Sequence, residues 1–247
     1  MKKIFKIIMT TYAGAVFMFW VFIAYLVSLY YFIRYKKSKD KEYLTFLYKT
    51  IGPLITNGIF LKINKHHHYA YAENETYIVV SNHQTMIDIP ANVVGAPDDI
   101  LFKFLGKVEA NKIPFFGSII NRFCVLVDRK NPESRHESYS KMKAEMEKGY
   151  SIFLYPEGTR NRTKEPLKDF YNGAFKLAIE MQKPIVVNTL VNIKKLNPPK
   201  GFFTYTPGTI DAHWDAPIST TGMTLENDLE KLKKIVADTI LHRLKNK

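Results

Sequence analysis

Two residues five positions apart, His83 and Asp88 in the run Asn82-His83-Gln84-Thr85-Met86-Ile87-Asp88, have the types that general-base chemistry needs. A histidine ionises near neutral pH. A carboxylate about one helical turn further on can hold one ring nitrogen and leave the other free to take a proton. This is the histidine–carboxylate half of a catalytic triad with no nucleophile of the protein's own, so the attacking group would be a hydroxyl of the substrate. Taken alone, the same spacing also fits a histidine that caps a helix, with Asp88 favouring the helix N-terminus.

Three further clusters carry groups suited to ligands. The first joins Lys107-Val108-Glu109, Pro114 to Gly117 and Val127-Asp128-Arg129. Here Arg129 offers a bidentate fork and Lys107 a point charge to a phosphate. Either residue taken singly also fits a solvated surface charge. The second, Tyr155-Pro156-Glu157-Gly158-Thr159-Arg160, is an abrupt turn. Gly158 allows close backbone approach, Thr159 can donate a hydrogen bond and Arg160 can clamp an oxyanion. Glu157 reads as a positioning acceptor for Arg160 or a substrate hydroxyl. The third, Lys183-Pro184-Ile185-Val186-Val187, begins a strand that could wall an apolar channel, and is otherwise an ordinary turn into a strand.

The elements that must position these groups alternate in type. Short β-branched or apolar runs at Tyr77–Ser81, Leu101–Phe104, Cys124–Asp128, Ser151–Tyr155, Ile185–Val191 and Thr209–Trp214 read as strands. Between them Ile89–Val94, Pro132–Lys148 and Gly173–Gln182 read as helices, with Pro90 in a first turn, Gly149 as a C-cap and a turn at Pro114–Gly117. Leu225, Leu229, Leu232, Val236, Ile240 and Leu244 recur at helical spacing in a closing helix. The alternation predicts an α/β fold with a mixed, mostly parallel sheet covered by helices on both faces. Open sheets of this kind place ligands at strand ends.

Composition narrows the partners. The 247 residues carry 36 Lys and Arg against 23 Asp and Glu, a formal net charge of +13 that suits an anionic partner. Cys124 is the single cysteine, in an apolar run, and reads as a buried structural thiol. From Ile7 to Ile33 no residue is charged, which is about 40 Å of helix and enough to span a bilayer. No small-residue cleavage site follows the run, so it reads as an uncleaved anchor. Lys2, Lys3 and Lys6 precede it, whereas Arg34, Lys36, Lys37, Lys39 and Lys41 follow it. The heavier positive flank favours a catalytic domain on the cytoplasmic side of the cell membrane. The alternative is a helical hairpin in one leaflet with Leu44–Ile63 as its second arm, kinked at Gly52-Pro53. The organisation expected is an anchoring segment over residues 1–64 and an α/β domain over 65–247.

In order along the chain, Asn82-His83-x4-Asp88, the Asp128-Arg129 strand end, Pro156-Glu157-Gly158-Thr159-Arg160 and Pro184-Ile185-Val186 resemble the four blocks of the glycerolipid acyltransferase family. The likeness is greatest to the bacterial 1-acyl-glycerol-3-phosphate acyltransferases and covers about residues 65 to 220. It implies that His83 is the general base on a glycerol hydroxyl and that Asp88 orients it. The hydroxyl would attack the thioester of an acyl-CoA or acyl-carrier-protein co-substrate at a phospholipid surface, giving phosphatidic acid without an acyl-enzyme. Lys107, Arg129, Glu157, Gly158, Thr159 and Arg160 would bind the lysophospholipid acceptor, with no cofactor and no metal. Two positions depart from the family's pattern. Tyr171-Asn172-Gly173 stands where a lysine or similar residue usually precedes the glycine, and Asn188 stands where a second proline usually follows; both bear on acceptor choice and acyl-chain fit.

The competing classes fit less well. Nucleic-acid binding would account for the charge but not for the uncharged N-terminal run, and no binding motif accompanies it. A lipid hydrolase needs a nucleophile, and no Gly-x-Ser-x-Gly elbow exists. His66-His67-His68 cannot all face one metal ion from a strand and reads as a solvent-facing or interfacial segment.

Overall fold

A computed structural model describes residues 2–36, 39–198 and 204–245; Lys37 of the basic flank lies outside these. The uncharged run forms one unbroken helix, α1 (Lys2–Tyr35). Among the described residues it is the one helix long and apolar enough to cross a membrane, and only 17% of its most apolar window is buried. Ile4, Phe5, Ile8, Met18, Phe19, Tyr30, Phe32 and Ile33 stand exposed, a surface suited to association with a membrane. Helices α2 (Asp40–Phe46) and α3 (Gly52–Gly58) run back along α1, joined by a π-helical turn at Leu47–Ile51. Pro53 sits in the first turn of α3, and the π turn takes up the disturbance the sequence places there. Tyr43 donates its hydroxyl to the Ala24 carbonyl at 2.9 Å. At the other end, a Cβ on Gly58 would stand 2.8 Å from Val16, so this residue must be glycine for α3 to lie on α1. The hairpin is therefore present, but its second arm ends at Gly58 rather than Ile63.

The next residues are already sheet. Strands β1 (Leu61–His67), β2 (Ile78–Ser81), β3 (Phe102–Lys107), β4 (Cys124–Val127), β5 (Ser151–Leu154), β6 (Ile185–Val191) and β7 (Gly208–Trp214) pair in the order β1-β7-β6-β2-β5-β3-β4. Only β6 and β7 are antiparallel. Because β1 pairs β7 from Leu61 to His67, the sheet runs across residue 64. Strand alternation sends His67 to the face opposite His66 and His68: His67 Nε2 meets the Gly95 carbonyl at 3.0 Å, while the His66 and His213 rings stack at 4.4 Å.

Helices α4 (Asp88–Gly95), α5 (Phe116–Phe123), α6 (Pro132–Glu147), α7 (Gly173–Met181), the short α8 (Ile193–Leu196) and α9 (Leu225–Lys245) complete the order. The period of two in the central strands feeds two cores. Val79, Phe102, Phe153, Val186 and Trp214 face α4, α5 and the hairpin. Ile78, Val80, Ile152, Leu154, Ile185 and Val187 face α6, α7 and α9. One expected feature differs: the turn at Pro114–Gly117 is the entrance to α5, with Phe115 at φ +64° preceding its first turn.

Candidate functional site

Strands β2, β3, β4 and β5 are parallel neighbours, so their C-terminal ends share one edge of the sheet. That edge gathers His83, Lys107, Arg129 and the Tyr155–Arg160 turn. The Lys183–Val187 cluster does not join them. It enters β6 at the opposite edge, where the Ile78 amide donates to the Pro184 carbonyl at 3.0 Å.

The loop after β2 is held at both ends. Asn82 is fully buried and its side chain extends the pairing toward β6, donating to the Leu190 carbonyl at 3.0 Å and accepting from the Leu190 amide at 2.9 Å. Asp88, also fully buried, opens α4 and turns its carboxylate back over the loop. It accepts from the Gln84 amide at 2.6 Å, from the Thr85 amide at 3.0 Å and from the Thr85 hydroxyl at 3.0 Å. His83 Nδ1 donates to Asp88 Oδ2 at 2.7 Å. A carboxylate so committed cannot swing away, and it selects the ring tautomer with the proton on Nδ1. Nε2 is left with its lone pair and without a protein partner among the described residues. The His83 side chain is 19% exposed, open enough for a ligand to reach it.

Glu157 does not meet Arg160 or point out toward a ligand. It is fully buried, with Oε1 accepting the His83 amide at 2.8 Å and Oε2 the Lys168 amide at 2.9 Å. Burial raises its carboxyl above the ordinary range, against the two amides that favour the charge. Gly158 takes φ +71°, and its carbonyl accepts a hydrogen bond from Arg129 Nη1. A Cβ there would lie 2.6 Å from the Tyr171 ring, so both the conformation and the space require glycine. Thr159 Oγ1 accepts from Lys168 Nζ at 2.8 Å. Arg160 is partly exposed and its guanidinium has no protein partner among the described residues. Lys107 is exposed at the end of β3, in register with Val127 two residues before Arg129.

Several participants escaped the sequence reading. Tyr155 lays its ring on His83 with centroids 3.9 Å apart and planes 16° from parallel. Asn161 donates its backbone N–H to the His83 carbonyl at 2.6 Å. Lys168 and Lys194 add cations to the same rim, Lys194 Nζ donating to the Glu165 carbonyl at 3.1 Å. Apolar side chains flank the cations: Met86, Ile89, Ile113 and Phe115 are all exposed, and Phe115 meets the rings of Phe22 and Tyr25 on α1 at 5.6 and 5.3 Å. Desolvation of the half-buried Cys124 pushes its thiol up to about 12, which disfavours the thiolate form. The edge thus combines an oriented imidazole whose Nε2 has no protein partner among the described residues, a group of cations and an apolar rim continuous with α1.

Comparison with known proteins finds relatives of one family. The chloroplastic 1-acyl-sn-glycerol-3-phosphate acyltransferase BAT2 of Brassica napus is 31% identical over 122 residues, 49% of this chain and 34% of that protein. The 1-acyl-sn-glycerol-3-phosphate acyltransferase alpha of Mus musculus is 27% identical over 192 residues, covering 76% of this chain and 63% of the mouse protein. The 1-acyl-sn-glycerol-3-phosphate acyltransferase of Haemophilus influenzae is 28% identical over 67% of each chain. The matched stretch therefore spans only about a third of the Brassica protein. The crystal structure of the 1-acyl-sn-glycerophosphate acyltransferase PlsC from Thermotoga maritima superimposes with a TM-score of 0.80 over 100% of this chain and 99% of that one, at 22% identity, and so shares its fold. The acyltransferase family model matches residues 62–190, from β1 through the His83–Asp88 loop and the Glu157 turn into β6, and the chain belongs to the acyltransferase family.

Proposed function

We propose that the protein transfers a fatty acyl group from an acyl-CoA or acyl-carrier-protein thioester to the free hydroxyl of 1-acyl-glycerol-3-phosphate, giving phosphatidic acid. The observation that carries this reading is the 2.7 Å bond from His83 Nδ1 to a fully buried Asp88, which leaves Nε2 as a base with no hydroxyl or thiol bound to it among the described residues. Nε2 takes the proton of the acceptor hydroxyl as its oxygen attacks the thioester carbonyl. The tetrahedral intermediate collapses by breaking the carbon–sulfur bond, and the imidazolium returns the proton to the departing thiolate. No acyl-enzyme forms, and neither cofactor nor metal takes part.

Arg129 and Arg160 would receive the acceptor phosphate, with Lys107 at the same edge of the sheet. Arg129 also supports the turn through Gly158. Glu157 serves acceptor binding indirectly, by fixing that turn to the base. The names of the relatives support lysophosphatidate as the acceptor. The phospholipid surface is the other partner. Contacts run along α1 from Thr10, which accepts the Tyr205 amide at 3.0 Å, to Tyr31, whose ring lies 5.6 Å from that of Tyr43. A helix packed over that length favours a hairpin seated in one leaflet over a lone spanning helix, and the basic flank favours the cytoplasmic side of the cell membrane.

The test offers the purified full chain labelled acyl-CoA and a panel of lysophospholipids in vesicles. Phosphatidic acid is the expected product. Preference for another lysophospholipid would overturn the acceptor while keeping the chemistry, and release of free fatty acid alone would indicate a hydrolase.

A further inference from the structure

The ring stacked on His83 plays no part in the reaction as written above, yet it is held with care. Tyr155 follows β5 and packs against Phe153 and Phe104, with centroids 5.3 and 6.2 Å away. Its phenol oxygen accepts from Asn92 Nδ2 at 2.8 Å, and Asn92 Oδ1 accepts from Asn188 Nδ2 at 2.5 Å. Both asparagines are fully buried. Asn188 is the residue that stands where the family's pattern usually has a second proline. Here it supplies the donor that ends the chain His83–Tyr155–Asn92–Asn188. A polar chain of this kind inside an apolar core fixes orientation at some cost in burial.

The chemistry lies in the change of charge. When Nε2 takes the acceptor's proton the imidazole becomes a cation, lying flat on an aromatic face at 3.9 Å. That is well inside the roughly 6 Å over which a ring quadrupole attracts a cation. Burial holds the Tyr155 phenol well above its ordinary pKa, so the ring stays neutral. We infer that Tyr155 is a positioning residue for the transfer: its ring stabilises the imidazolium form of His83 from the face while Asp88 does so at Nδ1, and it sets the ring plane so that Nε2 meets the acceptor hydroxyl. The inference rests on the general-base reading of His83.

The experiment measures kcat and KM for acyl-CoA and lysophosphatidate with the full chain in detergent, from about pH 5 to pH 9 around the histidine range. It compares wild type with Tyr155→Leu and Tyr155→Phe. Tyr155→Leu is expected to lower kcat about 3- to 30-fold, to leave both KM values within about twofold and to move the acid limb of kcat/KM down by about half a unit to one and a half units. Tyr155→Phe keeps the stack and should return the acid limb to its wild-type position and recover the larger part of kcat, although loss of the Asn92 contact lowers its thermal stability. Partial misfolding scales the rate without moving a pH limb, which separates this role from packing alone. Should Tyr155→Leu not fold, Tyr155→Met repeats the test with a side chain that refills irregular space. An acid limb unmoved in the aliphatic variant, or a phenylalanine variant no better than it, overturns the inference while leaving the base in place. A wild type insensitive to His83→Ala overturns both.

Discussion

The backbone amide of His83 donates to Glu157 Oε1 at 2.8 Å, so the base at the end of one strand and the arginine-bearing turn at the end of the next form one hydrogen-bonded unit. The other carboxylate oxygen takes the Lys168 amide at 2.9 Å, and the Asn161 amide reaches the His83 carbonyl at 2.6 Å. Glu157 is thus an internal brace for three loop segments rather than a second acid or base.

Replacing it with glutamine turns an NH2 group toward one of two amide donors. Glu157→Gln is expected to lose on the order of 1–3 kcal/mol of stability and to lower kcat as well as raise acceptor KM, because base and turn drift together. Thermal unfolding in detergent beside steady-state kinetics checks this. Unchanged stability with a lost activity would return Glu157 to direct chemistry.

Arg160 presents the opposite case, an arginine with no protein partner among the described residues. Arg160→Ala should leave the unfolding midpoint within error. It should raise the acceptor KM, or lower kcat/KM for the acceptor, about tenfold or more, with little change toward the donor. Equal effects on donor and acceptor would move Arg160 to another role.

Asp88→Asn keeps the shape of the carboxylate but cannot accept from His83 Nδ1, the Gln84 and Thr85 amides and the Thr85 hydroxyl alike. A fall in kcat of about 10² to 10⁴-fold is expected, with the larger share from a misoriented or wrongly protonated ring. Steady-state kinetics with saturating donor reads it, and a loss confined to KM would contradict the orienting role.

A pH effect arises away from the site. His213 stands beside the rings of His66 and His68, with centroids 4.4 and 5.4 Å away, and burial first, then the neighbouring His66, depresses its pKa to about 4. The unfolded chain binds that proton more readily, so the stability His213 confers in its neutral form is lost as pH falls from the ordinary histidine range toward about 4. The unfolding midpoint of wild type should drop between neutral pH and about pH 5, and His213→Phe, which keeps a stacked ring, should drop less. Equal drops would assign the acid sensitivity elsewhere.

The parts of this architecture legible in the sequence are those where burial writes a pattern. β6 is buried on both faces and appears as the run Ile185–Val191, apolar except at Asn188 and Thr189, while His83 and Asp88 stand out because few spacings place a base beside its carboxylate. β1 was hidden because an edge strand buries little: Lys62, Lys65 and His67 are exposed and only Leu61 is fully covered. α5 was hidden because its apolar residues run straight into those of β4. The roles of Glu157 and Asn82 depend on backbone groups, which carry no sequence signal. Tyr155 at a strand end looks like any core aromatic until the fold brings it against the base.

The central claim is that His83 Nε2 takes the proton of a lysophospholipid hydroxyl. Its most direct test measures labelled phosphatidic acid formed from acyl-CoA and lysophosphatidate by wild type and by His83→Ala, with equal amounts of folded protein in vesicles. The account predicts steady product from wild type and a rate lower by about 10² to 10⁴-fold in the variant. Phosphatidic acid formed by His83→Ala at the wild-type rate would contradict it.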